Sequence, residues 1–510
     1  MALHWSVIRF FHKIKNLFID VHVVLCIVKD VKILFASSEI VPFASTGGLG
    51  DVCAALPKAL AKLGMEIVRI MPLYRVIDRN KYKIKPLDII LSIPIGKTSY
   101  QGRLFKQTYE DVTTIYIHCP EYFDRDGIYG ELDKEYSDNF ERFLFYQKAV
   151  VAAIDKLNLQ IDVVHCNDWH TGLLPLLLKY GIDGNPRFGK EKTILTIHNL
   201  AHQGWAHAEK FPLTHFPAVC FHWKLMEFFG EINSLKTGII TSDAITTVSP
   251  SYSKEILLPE YGNQLQDVIK ERKKDLYGIL NGVDYSRWNT ISDPYIESFY
   301  DIDDLTGKNT CKKNIQSQFS LPDKSNSPLF CMISRLTHQK GVDLICNAME
   351  SIMEEDVQFI FLGSGEKYYE DKLKKCAKRW PKKIAVSTTF SSEQAHQLFA
   401  GSDLCLMPSI FEPCGQSQIY GMRYGTIPLA HSVGGLKDTV ISYPKRGSTG
   451  FLFNSFTVEA LVDVIKFSIN TYNEPRRWRP LMKRAMKTDF SVEKMAKSYH
   501  SLYVSILKNS

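Results

Sequence analysis

The stretch VKILFASSEIVPFASTGGLGDVCAALPKALAKLG, residues 31–64, reads as a short apolar strand, a glycine-rich loop and a helix. VKILFAS, Val31–Ser37, has the length of one buried strand. DVCAALPKALAKLG, Asp51–Gly64, carries apolar residues at helical spacing and stops at Gly64. The loop between them includes STGGLGD, Ser45–Asp51. Its Gly47 and Gly48 can bring backbone N–H groups close to a phosphate at the positive end of the following helix. A simple tight turn reads equally well, because the spacing is neither that of a dinucleotide fingerprint nor that of a P-loop. Strand, loop and helix in this order open an α/β domain.

Outward from this unit the pattern repeats. Apolar runs recur at Asp162–Cys166, Thr193–His198 and Ala244–Ser249, each bounded by turn or helix signals, and such alternation predicts a parallel sheet. The polar stretch Asn289–Asp323 contains no such run. After it the pattern restarts with PLFCMISR, VQFIFLGSG, KIAVST and DLCLMP, separated by helical segments. The chain is therefore expected to form a first domain over 31–288 and a second over 289–490. The helical tail at 491–510 either finishes the second domain or crosses back to the first.

Length and composition agree with this division. A chain of 510 residues is too long for one ordinary core. With 45% apolar and 23% charged residues it has the composition of a globular protein. Lys plus Arg exceeds Asp plus Glu by 62 − 55 = 7, spread without a block of like charge, which argues against a nucleic-acid partner. The eleven cysteines lie singly, with no C-x-x-C pair, and read as thiols of a reducing, cytoplasmic compartment. In the first thirty residues Asp20 and His22 break the apolar run Leu17–Val28. That leaves no membrane span, and the segment reads as an extension with an interfacial anchor or targeting role as its alternative.

Polar side chains cluster just after the apolar runs, at the binding end of such sheets. HCNDWHTG holds Asp168, and IHNLAHQG holds His198 and Asn199. The four-residue spacing of His198 and His202 is no metal motif here, because it falls in a loop without a carboxylate or cysteine partner. In SRLTHQKG, Arg335 and Lys340 close a strand and open a helix. Cations oppose the helix dipole there, so an anionic ligand such as a diphosphate is the better reading. In SIFEPCGQSQIYG, Ser409–Gly421, Glu412 follows the strand DLCLMP and precedes a helix. One carboxylate opposite two cations suits a reaction in which positive charge grows on a sugar carbon while a diphosphate leaves.

In this order, and together with NGVDYSRWN (Asn281–Asn289) and MPLYRVID (Met71–Asp78), these segments resemble the bacterial glycogen synthases and plant starch synthases, glycosyltransferase family 5. The similarity runs from Val31 to about Tyr503. It implies a GT-B fold, two Rossmann-like doubly wound α/β domains facing each other across a deep crevice, and it implies neither metal nor cofactor. It also implies transfer of glucose from ADP-glucose, with UDP-glucose as the alternative donor, to the non-reducing end of glycogen or another α-1,4-glucan with retention of configuration. Carried onto this chain, Arg335 and Lys340 would hold the diphosphate. His198, Glu412, Cys414 and Gly415 would position the transferred glucose, with Gln416, Ser417 and Tyr420 completing the donor side and Asp168 and Asn199 the acceptor side. Phe390 falls where the family carries a Tyr against the adenine and keeps the stacking face.

Three positions depart from the family pattern. Its glycine loop reads K-x-G-G-L, and the lysine position is Ser45 here. Ile410 and Gln416 stand where Arg and Leu are common. A non-catalytic or weakly active glucan-binding or nucleotide-binding homologue is therefore the alternative to an active synthase. A nicotinamide-dependent dehydrogenase is disfavoured, since GGLGD lacks the spacing that admits a dinucleotide.

Overall fold

The computed structural model describes residues 31–508 apart from 111, 132, 133, 186, 188 and 189. The reading of residues 1–30 as an extension lies outside the described residues. Two compact units emerge. The first reaches to Thr246 and takes up Asp267–Tyr277 and the chain from Met495 on, while the second comprises Thr247–Gln266 and Gly278–Lys494.

In the first unit Lys32–Ala36 is a central strand, paired in parallel with Glu66–Pro72 on one side and Val163–Asn167 on the other. Ile33, Leu34, Phe35 and Ala36 are all buried, as in a strand covered on both faces. The sheet continues through Lys192–Ile197 to Ala244–Thr247, and on the opposite side through Val112–His118. There it departs from the all-parallel expectation. Thr98–Tyr109 and Lys85–Ile95 form an antiparallel hairpin joined to Val112–His118. Along Leu91–Ile95 burial alternates with exposure, the pattern of a strand with one wet face.

In the second unit six strands lie parallel, in the spatial order Ile384–Ser387, Gln358–Leu362, Leu329–Ile333, Leu404–Met407, Ile427–His431 and Phe451–Phe453. The first four coincide with the runs read from the sequence. The last two were not read as strands, since IPLAH carries a proline and FLF is only three residues long. Where the sequence reading set a boundary between 288 and 289, the second unit also takes in residues 247–266 and 278–288. Ser249 Oγ donates to Pro413 O at 2.7 Å, Ser251 Oγ to Asp438 at 2.7 Å, and the Glu255 carboxylate accepts from Gly434 N at 2.9 Å. These bonds tie the segment to the second core.

The last helix, Val492–Lys508, brings Tyr499 and Tyr503 to the first unit. His165 on Val163–Asn167 bonds Tyr503 OH through Nδ1 at 2.7 Å and Thr196 Oγ1 through Nε2 at 2.6 Å. Among the described residues no helix is long and apolar enough to cross a membrane.

Candidate active site

In the first unit the predicted residues gather beyond the carboxyl ends of the central strands. Asp168 directly follows Val163–Asn167 and takes φ 55°, ψ −174°, a conformation that costs a non-glycine residue strain energy. Its buried carboxylate accepts from His198 N at 2.7 Å and Asn199 N at 3.5 Å. Burial pushes its pKa up to about 7, while the two N–H donors pull it back. His198 caps Lys192–Ile197 with Nε2 2.9 Å from Asn167 Oδ1, and burial holds the ring down to about 3, hence neutral at pH 7. Asp168, His198 and Asn199 are thus one hydrogen-bonded cluster.

The glycine loop is built differently from the sequence reading. The helix spans Gly48–Lys62, so it begins inside the glycine motif. Gly50 lies within its first turn because a Cβ there would meet Ser45 Oγ at 2.4 Å. The loop N–H groups do not all face outward. Buried Glu39 accepts from Thr46 N at 2.6 Å, Thr46 Oγ1 at 2.8 Å and Gly47 N at 3.3 Å, and Tyr129 OH donates to it at 2.6 Å. Ser45 is exposed and turns its hydroxyl onto Gly47 O at 3.0 Å. Gly48 stands exposed at the helix start.

In the second unit Glu412 lies past the carboxyl end of Leu404–Met407. Its side chain is buried, and Oε2 accepts from Lys340 Nζ at 2.5 Å and Ser409 Oγ at 2.9 Å. The two predicted charges therefore pair with each other, leaving Lys340 two of its three donors for another acceptor. The SRLTHQKG loop is locked against the glutamate loop from both sides. Ile410 N donates to Gln339 O at 2.9 Å and Gln339 Nε2 to Phe411 O at 3.1 Å. Arg335, on the same loop, is exposed. Gly434 faces Glu412 from behind with φ 44°, and a Cβ there would come 1.9 Å from Glu412 O. Gly435 N donates to the same carbonyl at 3.0 Å.

The rest of SIFEPCGQSQIYG forms a turn and a short helix. Gly415 has φ 70°, which lets the chain swing into Ser417–Arg423. Gln418 Nε2 donates to Cys414 O at 3.0 Å and Ser417 Oγ to Ile333 O at 3.2 Å. Burial raises the Cys414 thiol to about 12, so it stays protonated. Tyr420 is buried against Trp288 with ring centroids 3.9 Å apart, and its hydroxyl donates to Gln416 Oε1 at 3.2 Å. That bond leaves the Gln416 amide N–H₂ group to point elsewhere. Phe390 stands 58% exposed before the helix Ser392–Gly401, a free aromatic face near the strand ends.

Comparison with known proteins decides what these sites belong to. Residues 32–271 match the starch synthase catalytic domain, and residues 314–484 match glycosyl transferases group 1. The chain is 41% identical to a glycogen synthase of Bacillus cereus (strain Q1) over 481 residues, 94% of this chain and 100% of that one. It is 38% identical to a glycogen synthase of Thermodesulfovibrio yellowstonii, over 94% of this chain and 98% of that one. The chain belongs to the glycogen and starch synthase family. Among solved structures, the catalytic domain of Starch Synthase IV from Arabidopsis thaliana bound to ADP and acarbose superposes with TM-score 0.86. It is 29% identical over 94% of this chain and 99% of that one. A sucrose-phosphate synthase from Thermosynechococcus elongatus, 17% identical with TM-score 0.60, shares the fold.

As a glycogen and starch synthase family member the chain is a GT-B glycosyltransferase with one Rossmann-like sheet in each unit. Four residues of its candidate site escaped the sequence reading: Glu39, Tyr129, Asn167 and Ser409. Glu39 had a local signal, a lone carboxylate within the apolar run that leads to the glycine loop. Tyr129 had none, because it reaches Glu39 from 90 residues away.

Proposed function

We propose that this synthase transfers glucose from ADP-glucose to the non-reducing 4-hydroxyl of an α-1,4-glucan, with retention of configuration. The observation that carries the reading is Glu412, a buried carboxylate fixed by Ser409 and by Lys340, whose loop also carries the exposed Arg335. A carboxylate held rigid before reaction costs no reorganisation when positive charge develops at the sugar carbon. Arg335 and Lys340 neutralise the departing diphosphate, and Phe390 offers its face to the adenine. Gln416, with its carbonyl held by Tyr420, turns N–H donors toward the nucleotide, and the Cys414–Gly415 backbone positions the glucose with Ser417 below it. In the first unit His198 positions the transferred glucose, Asp168 and Asn199 hold the acceptor through hydrogen bonds to its hydroxyls, and the loop Ser45, Gly47 and Gly48 serves the donor. The ten described cysteines are all free thiols, which supports a reducing cytoplasmic setting.

Purified protein mixed with glycogen is expected to release ADP from ADP-glucose and lengthen the chains. The rate with UDP-glucose is expected to be lower by at least about tenfold, the worth of one good polar contact. No release from either donor at high enzyme concentration sinks the catalytic reading, and faster reaction with UDP-glucose sinks the donor assignment.

Ser45 sets how fast the reaction runs. A lysine at this exposed position restores the cation that the family carries on this loop. A charge-assisted contact is worth about 1.5 to 3 kcal/mol, so Ser45→Lys is expected to raise kcat/KM for the donor by roughly ten- to a hundredfold. Steady-state kinetics of the two proteins side by side check it.

A further inference from the structure

In the second unit two helices lie side by side on one face of the sheet. Val342–Ile352 follows the strand Leu329–Ile333, and Lys367–Arg379 follows the neighbouring strand Gln358–Leu362, so both helices run back against the strands and parallel to each other. Two ion pairs fasten them. Lys372 Nζ donates to Asp343 Oδ1 at 2.5 Å and Arg379 Nη2 to Glu350 Oε1 at 2.5 Å. From the first pair to the second each helix advances by the same two turns, so the seam between them stays in register.

Midway along this seam stand Cys346 and Cys376. Asp343, Cys346 and Glu350 fall at i, i+3 and i+7, and Lys372, Cys376 and Arg379 at i, i+4 and i+7, spacings that put each trio on one face of its helix. The two thiols therefore meet between the ion pairs, and they are hydrogen-bonded to each other. Among the ten described cysteines these two alone are not buried. Cys331 and Cys405 also face each other, as Cα partners on neighbouring strands, but both lie at 0% exposure where no reagent reaches them. Packing alone asks nothing of a thiol at a half-exposed helix seam, where alanine or serine fits as well.

We propose that Cys346 and Cys376 are a modification site: a thiol pair that closes into a disulfide by exchange with a small-molecule disulfide, stiffening the seam between the two helices. Cys376 makes the first attack. The Cys346 S–H donates to it, and Arg379 and Lys372 add positive charge, so its pKa lies below the ordinary thiol range although burial opposes the shift. The same bond, with burial, raises Cys346. The Cys376 thiolate takes one sulfur of the small disulfide, whose S–S bond breaks and releases one thiol. Cys346 then gives up its proton and attacks Cys376 Sγ, and the second small thiol leaves. Two protein thiols are oxidised, one disulfide is reduced to two thiols, and no other oxidant is needed. Because the ion pairs already hold the helices in register, the bond forms without displacing them. In a reducing compartment the pair stays open and closes only when small disulfides accumulate.

The test uses the full chain and oxidised glutathione. Treated wild type should lose two hydrogens, retain no glutathione, and give a peptide map in which residues 346 and 376 are joined. Its melting temperature should rise by about 5 to 10 °C, the effect of closing a loop of about thirty residues, and dithiothreitol should reverse both changes. Cys346→Ser should stop at the mixed disulfide on Cys376, and neither it nor Cys376→Ser should gain thermal stability from the treatment. No reaction, glutathione left on both thiols, or a bond to any other cysteine overturns the pair. An unchanged or lower melting temperature after the 346–376 bond has formed overturns the stiffening of the seam. None of these readouts depends on glucose transfer, so they stand whatever the activity assay shows.

Discussion

Replacing Glu412 with glutamine is expected to lower the turnover number for glucose transfer by about 10²- to 10³-fold, the cost of removing one preorganised group that stabilises developing charge. The substitution keeps the shape of the side chain. Its carbonyl can still accept from Ser409 Oγ, now 2.9 Å from Oε2, so the loop that carries residue 412 keeps its anchors at Gln339 and Gly435. What disappears is the negative charge beside Lys340, 2.5 Å away, the charge that the proposed reaction sets against the anomeric carbon. An uncompensated Lys340 could attract the diphosphate more strongly, so KM for ADP-glucose is expected to hold or fall while kcat collapses. That split separates a role in the transition state from simple loss of binding. An unchanged kcat would remove Glu412 from the chemistry.

Asp168→Asn is expected to stabilise the protein at alkaline pH and to do nothing at pH 4. Burial moves the Asp168 pKa from 3.8 to about 7. Between these values the folded state retains a proton that the unfolded chain has lost, so wild-type stability declines as pH rises through that window and levels off above it. Each pKa unit is worth 1.36 kcal/mol, so the difference between variant and wild type should grow to at most about 4 kcal/mol by pH 8. His198 acts with the opposite sign: its depressed pKa takes stability away as pH falls from 6.5 toward about 3. Because His198 is present in both proteins, its effect cancels in the difference. Urea unfolding of the pair at pH 4, 6 and 8 reads the prediction, and a difference that stays flat across that series defeats it.

Much of this was legible in the chain. The strands Leu329–Ile333 and Leu404–Met407 are buried and apolar throughout, and Lys32–Ala36 and Val163–Asn167 are so apart from Lys32, His165 and Asn167, so these runs stand out against polar loops. Glu412, Arg335, Lys340, Asp168 and His198 could be picked out because polar residues directly after such strands have few other reasons to be there. The hairpin Lys85–Ile95 and Thr98–Tyr109 was missed because strands with one wet face mix polar with apolar residues and lack a continuous run. The sequence reading set Lys340 opposite Glu412, but not in direct contact, for another reason. Seventy-two residues separate them, and the contact depends on two loops meeting at neighbouring strand ends. The unit boundary was misplaced because the ties of Ser249, Ser251 and Glu255 to the second core are single polar bonds that leave no periodic trace.

The Glu39 carboxylate, with its four donors, has a consequence for the cost of binding. A glycine-rich loop is the segment with the most freedom to lose, about 1 to 2 kcal/mol for each residue fixed. Here Thr46 and Gly47 are already held by Glu39, itself bonded to Tyr129 OH. The entropy of ordering the loop is spent when the chain folds and need not be spent again at every turnover. A missing cation at residue 45 therefore leaves behind a rigid scaffold rather than a floppy one, onto which a single substitution can add charge without first having to build order.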